Sequence, residues 1–310
     1  MLTQTPRAAA QRRARTGFTL PELLIVIVIF GVIAGALVTT IARQQRFYGA
    51  TEQIVTMRGN MRDAVNLLPS DLRGLSRSGG DIYAMTDSSI DFRLPAGASA
   101  ICTINTGRTI VTVPPAQLAS QSGVTSWLAT PRAGDSLFVY DEGATTGTTD
   151  DSWRLYALTA TPSAGTCPTT TGFTSTSTEA AAGVSLVLSG ALPATVRLGA
   201  SIRFFHKAHY SLYRAASGNW YVGFYECSAG TCPSLQAVSG PYLPYASSGG
   251  GGVRFTYFDS TGSATTNRAL VSRIDVTTRA QTANPVAVTG SQREYYADSL
   301  SVSVALRNRN

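Results

Sequence analysis

The stretch Gly17-Phe18-Thr19-Leu20-Pro21-Glu22 opens an apolar run from Leu23 to Val38 that is interrupted only by Gly31, Ala34, Gly35 and Ala36. With Thr39, Thr40 and Ile41 the run reaches nineteen residues. At about 1.5 Å of rise per residue, a helix of that length crosses the roughly 30 Å of a bilayer core. Arg7, Arg12, Arg13 and Arg15 precede it, and the first seventeen residues contain no acidic residue. Such a basic flank holds the amino end in the cytoplasm, so the chain is expected to pass the inner membrane once and to place everything beyond Ile41 outside it.

An ordinary secretory leader also begins basic and turns apolar, and Ala34-Gly35-Ala36 offers the small-residue pattern that a signal peptidase accepts. Glu22 argues against that reading. A carboxylate at bilayer depth costs something like 2.5–3.5 kcal/mol, less near the interface, and a disposable leader or a bare anchor has no use for it.

Gly17-Phe18-Thr19-Leu20-Pro21-Glu22 with its apolar continuation resembles the class III signal of type IV prepilins and type II secretion pseudopilins. The resemblance implies that prepilin peptidase cuts after Gly17 and methylates the new amino-terminal Phe18. It also implies that Glu22, the fifth residue of the mature chain, pairs with the terminal amine of an adjacent subunit during assembly. The competing local reading is a carboxylate that caps its own helix. Pro21 departs from the branched aliphatic residue usual at its position, but in a first helical turn its missing N–H is harmless. Gly31 and Gly35 form a G-x-x-x-G pattern that is equally open to close helix approach and to chance.

Beyond the membrane, Ile54, Met57, Met61, Val65, Leu68, Leu72 and Leu75 recur at intervals of three and four, one stripe of an amphipathic helix. Arg43, Arg46, Glu52, Arg58 and Arg62 occupy other faces. The helix is expected to continue out of the membrane, to kink or break at Pro69, and to end at Ser78-Gly79-Gly80. From Asp81 onward the period changes to two. Strands are expected at Ser89–Leu94, Thr109–Val113, Ser136–Tyr140, Trp153–Leu158, Val184–Leu188, Ile202–Tyr213 and Trp220–Cys227, and around Phe255, Ile274 to Val276 and Leu300 to Leu306. Gly249–Gly252 reads as a flexible connection and Gly262–Thr266 as a turn.

The expected fold is therefore α+β and pilin-like, a long amino-terminal helix packed on a mainly antiparallel sheet. Its parts are a leader at 1–17, a transmembrane half-helix with the assembly motif at 18–42, an amphipathic half-helix at 43–78 and an exported β-rich domain at 79–310. The carboxyl-terminal third also resembles, loosely, PilW-like minor pilins and J-type pseudopilins, through Leu270 to Thr277 and Val302 to Asn308.

The formal charge of +7 falls to 21 basic against 18 acidic residues once the four leader arginines are set aside. The remaining arginines are scattered singly along strands, so no specific nucleic-acid surface is expected. His206 and His209 lie three apart on a strand, on opposite faces, which is poor geometry for one metal. Asp141-Glu142 and Asp150-Asp151 flank a Gly/Thr-rich loop, readable as a solvated turn or as oxygen ligands for calcium without EF-hand spacing. No nucleophile elbow, zinc-protease, phosphate-loop or dinucleotide motif is present, so neither catalysis nor a cofactor is expected.

Cys102, Cys167, Cys227 and Cys232 all follow the apolar run, and an even count in an exported segment favours disulfides. Three pairings are possible. Cys227 and Cys232 enclose four residues including Gly230, close enough for a hairpin bridge, which leaves Cys102 with Cys167.

The function expected is a structural subunit of a type IV pilus or a type II secretion pseudopilus, minor in abundance because its domain is large for close lateral packing. Its partners would be prepilin peptidase, other pilins or pseudopilins, the inner-membrane assembly platform and membrane lipid. The alternative is an anchored exported binding domain that never polymerises.

Overall fold

The structure, a computed structural model, describes residues 19–76, 80–118, 123–145, 147–227, 231–287 and 292–306. Helix α1 (Leu20–Leu72) is 53 residues long, about 80 Å at 1.5 Å per residue. It springs from Thr19, whose backbone is extended, and Pro21 sits in the first turn. The expected stripe is real: Met57, Met61, Leu68, Leu72 and Leu75 are buried, joined by Ala64, while Ile54 and Val65 are half-buried.

The end of the helix differs from expectation. Pro69 neither breaks the helix nor starts a loop; it is buried in the last turn, and the helix stops at Leu72. Its ring removes the N–H that the Val65 carbonyl would accept, yet one more turn forms, with the Arg73 N–H on the Pro69 carbonyl at 3.0 Å. Leu75, past the helix end, completes the stripe at 0 % exposure. Ser78 and Gly79, expected as the stop, lie outside the described residues.

The strands are β1 (Ile82–Met85), β2 (Ser89–Ala100), β3 (Thr103–Ile104), β4 (Ile110–Val113), β5 (Ser126–Trp127), β6 (Ser136–Asp141), β7 (Ser152–Ala157) and β8 (Ser163–Gly165), and then β9 (Gly183–Val187), β10 (Ser201–Arg214), β11 (Trp220–Glu226), β12 (Gln236–Tyr242), β13 (Val253–Phe258), β14 (Arg273–Gln281) and β15 (Ala297–Ala305). A short helix, α2 (Ser177–Ala181), precedes β9. The largest sheet runs β1-β2-β10-β11-β12, with β5 beside β2 and β6-β7 joined to the start of β10; β13-β14-β15 and β3-β4-β9-β8 form two smaller sheets. Every pairing between these strands is antiparallel.

Helix α1 docks on β12, β14 and β15. Its stripe meets Phe255, Ile274, Val276 and Val304 from the three-stranded sheet and Phe92, Ala208 and Tyr210 from the large one, in a single apolar cluster. Each fully buried Leu or Met of the stripe is worth on the order of 2 kcal/mol. Polar ties fix the register. The Asn60 carbonyl accepts from Ser239 Oγ at 2.6 Å and Tyr242 Oη at 2.8 Å, Tyr210 Oη donates to Asp71 at 2.7 Å, and Arg58 Nε pairs with Asp298 at 2.9 Å.

A second apolar cluster draws no described residue from α1. It is built from Ile101, Val111, Leu137, Leu186, Ile202 and Phe204 with their neighbours, mostly in the segment between β2 and β10. Strand β10 threads both clusters: Ile202 and Phe204 belong to the second, Ala208, Tyr210 and Leu212 to the first. His206 stands at the waist, 1 % exposed, with Nδ1 2.8 Å from Asp135. The Cys102–Cys167 disulfide staples the second cluster, with α-carbons 5.5 Å apart, and Cys227–Cys232 closes the loop after β11 at 4.1 Å. Gly230 lies outside the described residues. By loop entropy the bridge across 65 residues contributes about 4 kcal/mol, the short one less.

The glycine run Gly249–Gly252 is not the loose connection its composition suggested. A Cβ on Gly252 would come within 2.0 Å of the Leu243 carbonyl oxygen, and one on Gly251 within 2.8 Å of the Ala246 nitrogen. Glycine is needed there because backbone packs on backbone, with the Arg279 N–H donating to the Gly252 carbonyl at 2.6 Å.

Two outcomes follow for stability. A chain beginning at Arg43 keeps the stripe, and should melt well above one beginning at Gly80; Met61→Ala in the former should cost about 2–5 kcal/mol in urea unfolding, and equal melting temperatures would remove the helix from the core. Burial pushes the Tyr242 phenol up to about 12. Burial, then the hydrogen bond to Asp71 and its charge, push Tyr210 higher still, and burial does the same to Tyr257. A raised folded value means stability that is complete below the unfolded value of about 10 and lost as pH rises past it. The urea midpoint should therefore fall on going above about pH 10, less steeply in Tyr242→Phe.

Candidate functional site

The first turns of α1 carry the groups that the sequence singled out. Gly17 and Phe18 lie outside the described residues. Glu22 is in the first turn, and its Oε2 accepts from the Thr19 N–H at 3.4 Å and lies 3.5 Å from Thr19 Oγ1. Both contacts are long, so within one chain the carboxylate is held loosely by the local cap. Among the described residues no ion pair involves Glu22.

From Leu20 to Ile41 the large apolar side chains stand open, between 51 % exposed at Ile41 and 79 % at Leu20. Among the described residues α1 is the one helix long and apolar enough to cross a membrane. Thr39 and Thr40, the polar residues near the end of the run, each return their hydroxyl to the Ala36 carbonyl at 2.8 Å, so neither leaves an unmet donor in an apolar medium. Gly31 and Gly35 leave open space where a Cβ would stand. The exposed run is followed by Arg43, Arg46, Phe47 and Tyr48, all exposed, and the domain first covers the helix at Ala50. The aromatic pair was visible in the sequence as two large rings directly after a span, a signal that the stripe-based reading passed over.

Residues 12–38 match the family model described as the prokaryotic N-terminal methylation motif. The chain carries a prepilin-type signal. That motif indicates a type IV pilin-like or pseudopilin precursor, and it implies processing by prepilin peptidase and assembly with other pilins. With the apolar helix it supports anchoring in a membrane. No curated protein and no solved structure matches the chain.

The other candidate groups of the precursor are absorbed locally. Asp141 is buried, which pushes its carboxyl up, but hydrogen bonds from Thr195, Arg154 and the Gly143 N–H outweigh this and hold it below the usual carboxylate range. Asp150 accepts from the Ala144 and Thr145 N–H groups, and Asp151 accepts from Tyr140. The acidic loop thus folds on its own carboxylates, and among the described residues no group of three His, Cys, Asp or Glu side chains could hold a metal. His206 and His209 face opposite sides of β10, the first on Asp135 and the second on Asp91, with its ring stacked on Tyr225 at 4.7 Å.

The sheet face turned away from α1 carries a row of rings and cations that strand periodicity alone did not reveal. Arg203 lies over Trp153 at 4.4 Å, Phe138 meets Phe205 edge-on at 5.5 Å, and Arg93 lies between Phe138 and Tyr83 at 5.3 and 4.8 Å. These contacts cross from β7 through β6, β10 and β2 to β1, so residues from both halves of the sequence meet there.

Processing is checked by mass. In cells with active prepilin peptidase the chain should begin at a methylated Phe18 and number 293 residues, 310 less 17. Replacing Gly17 with a bulky residue should leave the full-length precursor in the membrane; a mature chain beginning near Leu37 would instead identify an ordinary secretory leader.

Proposed function

We propose that the precursor matures into a minor pilin or pseudopilin, a non-catalytic structural subunit of a type IV pilus or a type II secretion pseudopilus. It enters the inner membrane once, with its amino end in the cytoplasm and its β domain in the periplasm or outside the cell. The observation that carries this reading is Glu22, a carboxylate in the first turn of a bare apolar helix whose side-chain contacts among the described residues are long ones to Thr19. In an apolar bundle that charge needs a full positive partner, and the nearest chemistry of that kind is the terminal amine of Phe18 on a neighbouring copy or a related subunit. The ion pair then sets the axial register between helices that otherwise slide on featureless apolar surface. The size of the domain favours a minor position over a main building block. The absence of a catalytic motif in the sequence supports a structural role.

A second reading, an anchored binding domain that stays in the membrane, is favoured by the row of half-exposed rings on the open sheet face. Glu22 separates the two. Glu22→Ala should insert and be cleaved normally, yet its recovery with sheared filaments or cross-linked pilins should fall at least about tenfold, the equivalent of about 1.4 kcal/mol. Unchanged recovery would sink the filament reading and leave the anchored binder.

A further inference from the structure

We infer that Arg43, Arg46, Phe47 and Tyr48 form an interfacial belt that seats the outer end of the membrane helix in the acidic headgroup layer, so that the β domain stands directly on the lipid surface. The inference rests on the membrane-spanning orientation proposed above. Four observations carry it. Phe47 is 66 % and Tyr48 68 % exposed, with their rings edge-to-face at 6.2 Å, although large aromatic rings in a folded chain are usually covered. They are not part of the core, since the domain first covers α1 at Ala50. They follow the apolar run at a set distance. Counting about 1.5 Å per residue from Ile41, Arg43 stands roughly 3 Å and Tyr48 roughly 10 Å beyond its end, a range that brackets a headgroup layer about 5–8 Å deep on each side. Finally, the chain has no acidic residue between Glu22 and Glu52, so the two arginines meet no local counter-charge in sequence.

Side-chain direction strengthens the case. On a helix, side chains lean toward the amino terminus and cover the preceding turn. Phe47 and Tyr48 therefore lean back toward the bilayer and away from the domain, and the arginine stems can lie along the apolar edge with their guanidinium groups on phosphate. Amphipathic rings at headgroup depth with cations beside them are the chemistry of an interfacial anchor. The same contacts would fix the height of the subunit before assembly and would have to be broken when it leaves the membrane.

The test uses the full chain in lipid vesicles with a nitroxide on an introduced cysteine, since the native thiols are all in disulfides among the described residues. Gly31, Gly49 and Gly147 each have open space where a Cβ would stand, so Gly31→Cys reports the span, Gly49→Cys the belt and Gly147→Cys the solvent-facing domain. The expected result is a Gly49→Cys label whose accessibility to dissolved oxygen and to a water-soluble nickel chelate falls between the other two, and deeper with phosphatidylglycerol than with phosphatidylcholine alone. Adding Phe47→Ser and Tyr48→Ser should move that label to the solvent value, and Arg43→Gln with Arg46→Gln should abolish the difference between the lipids.

A Gly49→Cys label as water-exposed as Gly147→Cys, with Gly31→Cys still in lipid, would overturn the belt while leaving the span intact. A water-exposed Gly31→Cys label would overturn the span and the belt together. Equal depth in both lipids would remove the acidic headgroup as the partner, and shielding that appears only at high protein-to-lipid ratio would assign the belt to a second copy of the chain.

Discussion

One helix has to satisfy two solvents. From Leu23 to Val38 its surface is apolar on every side and open, while from Ala50 to Leu72 the stripe through Met57, Met61, Ala64, Leu68 and Leu72 is buried and the other faces are mostly polar. Neither half would be stable in the other's surroundings. The bare half cannot fold into a water-soluble core without a partner for its whole circumference, and the striped half would leave Arg58, Arg62 and Asp63 in hydrocarbon. Because the two halves are one continuous helix, the position of the domain relative to any membrane is set by the length of chain between Ile41 and Ala50. The Asn60 carbonyl with its two hydroxyl donors, the Arg58–Asp298 pair and the Tyr210–Asp71 bond then prevent the domain from sliding along or rotating about that axis.

The rest of the fold follows from how the sheet is covered. Where α1 lies, the inward faces of β10 and β14 find an apolar partner in the Met57–Leu75 stripe. Where the helix has ended, the chain between β2 and β10 supplies its own cover, a smaller sheet and a second cluster around Ile101, Leu186 and Phe204. The Cys102–Cys167 bridge closes 65 residues of that part and so restricts its unfolded chain. His206 marks the join. It is buried between the clusters with Asp135 on Nδ1, and Nε2 has no hydrogen-bond partner among the described residues.

What could be read from sequence depended on whether the signal was local. The Met57, Met61, Leu68, Leu72 stripe and the alternation of Ile202 to Leu212, Ile274 to Val276 and Val302 to Val304 reflect one face meeting one core, so period alone identified them. Strand β12 was not legible: Gln236 to Tyr242 is mostly exposed and contains Gly240 and Pro241, and it is a strand because β11 pairs with it and the Asn60 carbonyl anchors Ser239 and Tyr242. The helix end was placed at Ser78-Gly79-Gly80 because glycine composition marks a stop, whereas α1 ends at Leu72, one turn after Pro69, whose missing donor is tolerated in a last turn. Gly251 and Gly252 were read as slack for a related reason. Composition records the missing side chain but not the Leu243 and Ala246 backbone that requires it to be missing.

The open face of the large sheet shows the same limit from another direction. Helix α1 packs against the opposite side of the sheet, and a sheet face left to water would normally alternate to polar residues. Instead Arg203, Phe205, Lys207 and His209 alternate outward along β10, and neighbouring strands bring Trp153, Phe138, Tyr83 and Tyr225 against them. Rings stacked under guanidinium and ammonium groups shed part of their water without needing a second layer, and each such contact is worth about 0.5–2 kcal/mol depending on how dry it is. The rings stay half-exposed on the side away from α1, where they do not compete with the contacts that seat the helix on β12, β14 and β15.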